Sequence, residues 1–116
     1  MRTLAQSRGA NAEEQAARFL ARHGLEVVAR NYRTRFGEID LVAREGDTLV
    51  FIEVRMRSGD GFGGAAESIH ARKQARIVAA ARQFLSRLTR EPPCRFDVVT
   101  LDGDTPTWLR AAFDAS

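Results

Sequence analysis

Two carboxylates, Asp40 and Glu53, and one guanidinium, Arg55, stand in stretches that are otherwise apolar and β-branched. Between them lies Gly46-Asp47, a turn signal, because glycine supplies the positive φ that a tight hairpin needs. If Glu45 faces Thr48 across that turn, Asp40 falls opposite Glu53, and Glu38 falls opposite Arg55. Side chains alternate along a strand, so Asp40, Glu53 and Arg55 project from one face. Directly opposed residues have Cβ atoms roughly 5 Å apart, a separation at which like charges repel. Such a pair calls for a cation. Hard carboxylate oxygens suit Mg²⁺ or Mn²⁺, and magnesium commonly takes only one or two carboxylates and keeps several waters. Asp40 and Glu53 are therefore the expected metal ligands, in metal-assisted phosphodiester hydrolysis. Arg55 is expected to stabilise charge on the phosphate, since a guanidinium cannot act as a base. Without metal, one of the two acids should hold its proton well above the ordinary carboxylate range. The competing reading is an edge hairpin whose charges simply face water.

The elements around this hairpin follow from periodicity. A first helix is expected from about Ala12 to His23, with Asn11 as N-cap, Glu14 in a capping-box relation and Gly24 as the stop. Its apolar stripe is Ala12, Ala16, Phe19 and Leu20; Glu13 sits at the edge of that stripe and Glu14 points away. One strand covers about Glu26 to Tyr32, and an Arg-rich link, residues 33–37, leads to the hairpin. Four glycines within residues 57–64 make a loop, either a flap over substrate or a plain connection. A second helix is expected from about Ile69 to Leu88, with Ser68 as N-cap. Its apolar face (Ile77, Ala80, Ala81, Phe84) turns polar toward its start, at His70, Lys73 and Gln74. That polar end meets either solvent or a site. Residues 95–101 alternate as another strand, Asp102-Gly103-Asp104 forms a turn, and residues 107–113 are a closing strand or a helical turn. The order α-β-β-β-α-β predicts an α/β sandwich, a small mixed sheet flanked by helices.

The whole chain narrows the function classes. Its 116 residues fit one domain, expected over residues 11–116 behind a loose arm of residues 1–10. Eighteen basic against fifteen acidic residues give a net charge of only +3, but arginine dominates the basic set and the pI is near 10.0. Arginine forks onto phosphate, so this bias favours a nucleic-acid partner. A single cysteine, Cys94, excludes an intrachain disulfide and suits a reducing cytoplasm. No apolar run is long enough for a membrane span, and no cysteine/histidine pattern points to zinc.

The residues then add up to a resemblance. Residues 12–20 (AEEQAARFL), Asn31-Tyr32-Arg33, Gly37-Glu38-Ile39-Asp40-Leu41 and Phe51-Ile52-Glu53-Val54-Arg55 resemble the bacterial YraN family, also called UPF0102. The likeness continues through Phe62-Gly63-Gly64 and Ala71-Arg72-Lys73-Gln74 to Ala111-Ala112-Phe113. That family is similar to the PD-(D/E)xK nuclease superfamily and, within it, to archaeal Holliday-junction resolvases. The resemblance implies a restriction-endonuclease-like fold and a metal-dependent endonuclease acting on DNA, including branched or damaged DNA. It places Asp40 on the motif aspartate, Glu53 on the motif acid and Arg55 where lysine is usual. Glu13 matches the helix-one glutamate of the resolvase-like members, and Gln74 or Lys73 falls on the helix after the core strands. Arg35, Arg57 and Lys73 are the expected contacts to nucleic acid, and a homodimer would suit a two-fold substrate. The alternative is a non-catalytic nucleic-acid-binding protein that keeps the nuclease fold.

Overall fold

The computed structural model describes residues 4–57 and 69–115. Two helices and five strands occur among them: α1 (Leu4–Arg22), β1 (Glu26–Arg33), β2 (Glu38–Glu45), β3 (Thr48–Met56), α2 (Ala71–Leu85), β4 (Cys94–Asp102) and β5 (Thr105–Phe113). The strands form one sheet in the order β1-β2-β3-β4-β5. Neighbours are antiparallel except β3 and β4, which run parallel. A parallel pair needs a long crossover, and the connection that contains α2 supplies it.

The sheet is covered on both faces, and β3 displays the reason in its sequence. Val50 and Ile52 join Ala16, Ala17 and Leu20 of α1, whereas Leu49 and Phe51 join Ile77, Ala80 and Ala81 of α2. A strand buried on both sides reads as a continuous apolar run, as Leu49 to Ile52 does. The charge of Glu53 ends that run, and there the core gives way to the site. The mixed α/β sandwich expected from the sequence is therefore present.

Gly46 turns the β2–β3 hairpin with φ +59, Glu45 faces Thr48, and the ladder continues to Leu41 facing Ile52. Beyond that pair the two strands no longer form ladder partners, so Glu38 does not face Arg55 in the register expected. Glu38 instead pairs with Arg33 of β1 across 3.2 Å. Residues 107–113 resolve as strand, within β5.

Two helix starts differ from expectation. Helix α1 begins at Leu4, so Asn11 lies inside it and Leu4 to Ala10 belong to the helix rather than to a loose arm. Glu14 is accordingly no cap; it binds Arg18 at 3.0 Å and Arg30 at 2.6 Å. An N-cap side chain is worth only about 1 kcal/mol, too little to stop a helix that can continue. Helix α2 begins at Ala71 with His70 at the cap position, where it makes no side-chain capping bond. Ser68 and the glycine-rich segment of residues 58–64 lie outside the described residues. The end of α1 follows the sequence: Gly24 adopts φ +91, and the Leu25 N–H returns to the Leu20 carbonyl at 3.0 Å.

Candidate active site

Where the β2–β3 ladder ends, the side chain of Asp40 takes over from the backbone. Its Oδ2 accepts the Val54 N–H at 2.8 Å, tying β2 to β3. Asp40 also hydrogen-bonds Glu53, and Glu53 is only 6% exposed. The two carboxylates thus meet in a largely dry setting, one step past the last ladder pair, Leu41 and Ile52. Burial and the charge of Glu53 push the Asp40 carboxyl up to about 8, with a smaller push from Glu13 and only the Val54 N–H opposing. The Asp40 carboxyl thus holds its proton well above the ordinary carboxylate range, as burial beside a second acid predicts.

Asp97 provides an internal contrast. It is completely buried, but its oxygens accept Arg95 Nε at 3.0 Å, Trp108 Nε1 at 2.9 Å and the Ala111 N–H at 2.8 Å. A buried carboxylate with a full set of donors is structural. Asp40 has one backbone donor and a second acid instead.

A ring of polar groups surrounds the pair. Lys73 of α2 reaches Glu53 Oε2 at 3.2 Å. Glu13 of α1 is half-buried and hydrogen-bonded to the Asn31 side chain; burial, more than the nearby Glu38, raises its carboxyl. Asn31 is held at φ +52, between the Arg30–Leu41 and Tyr32–Ile39 pairs and so across from Asp40. Asparagine tolerates this left-handed conformation better than most residues. At the same level β2 loses its strict alternation, since Ile39 packs toward α2 although Leu41 packs toward α1. A strained residue and a break in alternation on adjacent strands together re-aim side chains at the sheet's end.

Other expected residues fall as follows. Arg55, two positions after Glu53, is partly buried in β3 and faces Thr100 of β4 in the sheet register. Gln74 turns its amide to the Ile69 carbonyl at 2.8 Å and so serves the start of α2 rather than the acid pair. Arg57 is exposed at the end of β3, its N–H bonded to the Leu101 carbonyl at 2.8 Å. Arg35 lies at the β1–β2 turn, stacked over Phe36 at 5.3 Å. Arg33, Arg35, Lys73 and Arg76, with Glu38, line a cleft of about 480 Å³. It connects with the acid pair through Lys73.

Asn31 and Arg33 escaped the sequence reading. Asn31 had a visible signal, because asparagine is depleted from strand interiors and favours left-handed backbone. Arg33 had only its place in the Arg-rich link, whereas Arg76 was one of several α2 arginines that sequence alone leaves either solvated or along a phosphate backbone.

The donor set fits a hard divalent cation. Asp40 and Glu53 supply oxygens, and a cation there would relieve the conflict that now holds a proton on Asp40. Among the described residues no group of three or more potential metal ligands converges, so any ion held here would have these two carboxylates as its protein ligands.

No helix among the described residues is long and apolar enough to cross a membrane. The profile of the uncharacterised protein family UPF0102 matches residues 12–101. A UPF0102 protein of Cupriavidus taiwanensis is 62% identical over 111 residues, covering 95% of this chain and 85% of its own length. UPF0102 proteins of Nitrosomonas europaea and Methylibium petroleiphilum are 51% and 53% identical, covering 95% and 93% of this chain and 96% and 94% of their own lengths. The matched span runs from the start of the α1 stripe through β4 and so contains Glu13, Asp40, Glu53 and Lys73: this chain belongs to the UPF0102 family.

Proposed function

We propose that the protein is a metal-dependent endonuclease that hydrolyses phosphodiester bonds in DNA. The observation that carries this reading is the Asp40–Glu53 pair, two apposed and poorly solvated acids beside a basic cleft. Asp40 and Glu53 would hold Mg²⁺ or Mn²⁺, which when bound polarises a phosphoryl oxygen and acidifies a water. The chain's own residues supply the rest. Arg33, Arg35 and Arg76 seat the phosphate backbone in the cleft. Lys73 aims Glu53, and Arg55 balances charge growing on the phosphate. Glu13, hydrogen-bonded to Asn31, would relay a proton to or from water.

Lys73 also offsets the departure at position 55. Arg55 cannot exchange a proton, but an ammonium beside Glu53 can orient a nucleophilic water. The test is cleavage of single-stranded, duplex and four-way-junction DNA with Mg²⁺ and with Mn²⁺. Asp40→Asn and Glu53→Gln should each lower the rate by about 10²–10³-fold, as expected when an essential electrostatic group is lost. Cleavage that survives in both variants would refute the assignment.

The Lys73–Glu53 ion pair also favours a second reading. It occupies one of the two acids with a protein cation, as a non-catalytic DNA-binding protein of this fold could do. Such a protein would bind DNA with a steep salt dependence and cleave nothing with either ion.

A further inference from the structure

Phe36 separates two hollows. On one side is the basic cleft of Arg33, Arg35, Lys73 and Arg76. On the other is a groove of about 530 Å³, walled by Phe36 and by Ala71, Ala75, Val78 and Ala79 of α2, with Gln74, Arg82 and Asp114 as polar members. Lys73 and Gln74 are neighbours, so the groove begins one residue along α2 from the cation that touches Glu53.

Phe36 is 56% exposed, yet its turn is firmly built. Thr34 Oγ1 accepts the Phe36 N–H at 3.0 Å and the Gly37 N–H at 3.1 Å, while the Thr34 N–H bonds the Gly37 carbonyl at 2.8 Å. Gly37 lies so close to α2 that a Cβ there would sit 2.5 Å from the Arg76 carbonyl oxygen. The ring is therefore held out on an anchored support, with the Arg35 guanidinium over it. An exposed aromatic gains nothing from folding, whereas a preorganised one binds a flat partner at low entropic cost.

The groove alone could take any apolar group. Across Phe36 it adjoins a cleft where Arg35 and Arg76 add their charge to Arg33 and Lys73, which Glu38 and Glu53 match. This setting selects a polyanion that also bears flat apolar faces, which is a nucleic acid with an unpaired base. Bases inside an intact duplex are already stacked and cannot reach the ring. We propose that Phe36 and the α2 groove receive an unpaired nucleobase, so that the site prefers DNA with a displaced nucleotide beside the phosphate in the basic cleft. This deepens the nuclease reading and rests on it for the position of that phosphate.

The test is binding in EDTA to two duplexes of equal length, one fully matched and one with a single-nucleotide 2-aminopurine bulge. The bulged duplex should bind about tenfold more tightly, in line with base–aromatic stacking. Its fluorescence should be quenched on binding. Phe36→Ala should bring the ratio of affinities near one and abolish the quench, and Phe36→Trp should keep both. Equal binding of the two duplexes by the wild type, an unchanged ratio in Phe36→Ala, or no DNA binding at all would overturn the proposal. Because no divalent ion is present, the two readings fail separately. A protein that discriminates but never cleaves loses the nuclease assignment alone, and one that cleaves but ignores the bulge loses the Phe36 assignment alone.

Discussion

The proton held by Asp40 links the site to stability. In the unfolded chain an aspartate loses its proton near pH 4, whereas in the fold Asp40 keeps it up to about 8. Between those values the folded state binds more protons than the unfolded state. Stability contributed by this group is therefore full below about pH 4 and falls as pH rises toward 8. Asp40→Asn keeps an acceptor for the Val54 N–H and has no charge to bury. It should flatten this dependence and exceed the metal-free wild type at pH 8 by several kcal/mol, read from urea unfolding at several pH values. Equal slopes for the two proteins would show that Asp40 is not the group holding the proton. The closeness of Asp40 to Glu53 was legible because the Gly46 turn fixes the register as far as Leu41 and Ile52, one step before them. The Lys73–Glu53 contact was not, since helical periodicity put Lys73 at a polar end without saying which strand residue it would meet.

At the scale of elements, the turn between β1 and β2 docks on α2 through the absence of a side chain. Gly37 does not need a positive φ; it needs space, because the atoms facing it are the backbone of Arg76. Backbone cannot swing aside as a long side chain can. Gly37→Ala should therefore lift the turn from α2 and cost about 1–3 kcal/mol, the usual penalty of overpacking. Thermal unfolding measures it, and an unchanged melting temperature would mean that the turn does not rest on α2. The sequence showed Gly37 only as part of an Arg-rich link, since close approach depends on a helix some forty positions later in the chain. Asp97 was hidden in the same way. In the sequence it interrupts an apolar strand, and only the fold reveals Arg95, Trp108 and the Ala111 N–H around it, holding Ala111 at φ +50. Strands and helices were readable because their periods are local, while these contacts depend on which elements become neighbours.

Over the whole molecule, charge placement matters more than the total. A net charge of +3 attracts DNA weakly, and many of the arginines are matched by carboxylates: Arg18 and Arg30 by Glu14, Arg33 by Glu38, Arg95 and Arg110 by Glu45. What the fold adds is convergence, bringing Arg35 and Arg76 from separate elements to one cleft beside Lys73. DNA binding through that cleft, as proposed, would release counterions, about 0.9 per phosphate neutralised on duplex DNA. The slope of log affinity against log salt should thus fall in magnitude by about two in the Arg35→Gln, Arg76→Gln double variant. Replacing Arg18 and Arg22 on the exposed surface of α1 should leave it unchanged, because those residues do not line the cleft. Parallel titrations between low and moderate salt separate the two cases. An equal drop in both would mean that the protein presents a diffuse basic surface, and the acid pair would then have no phosphate delivered to it by design of the fold.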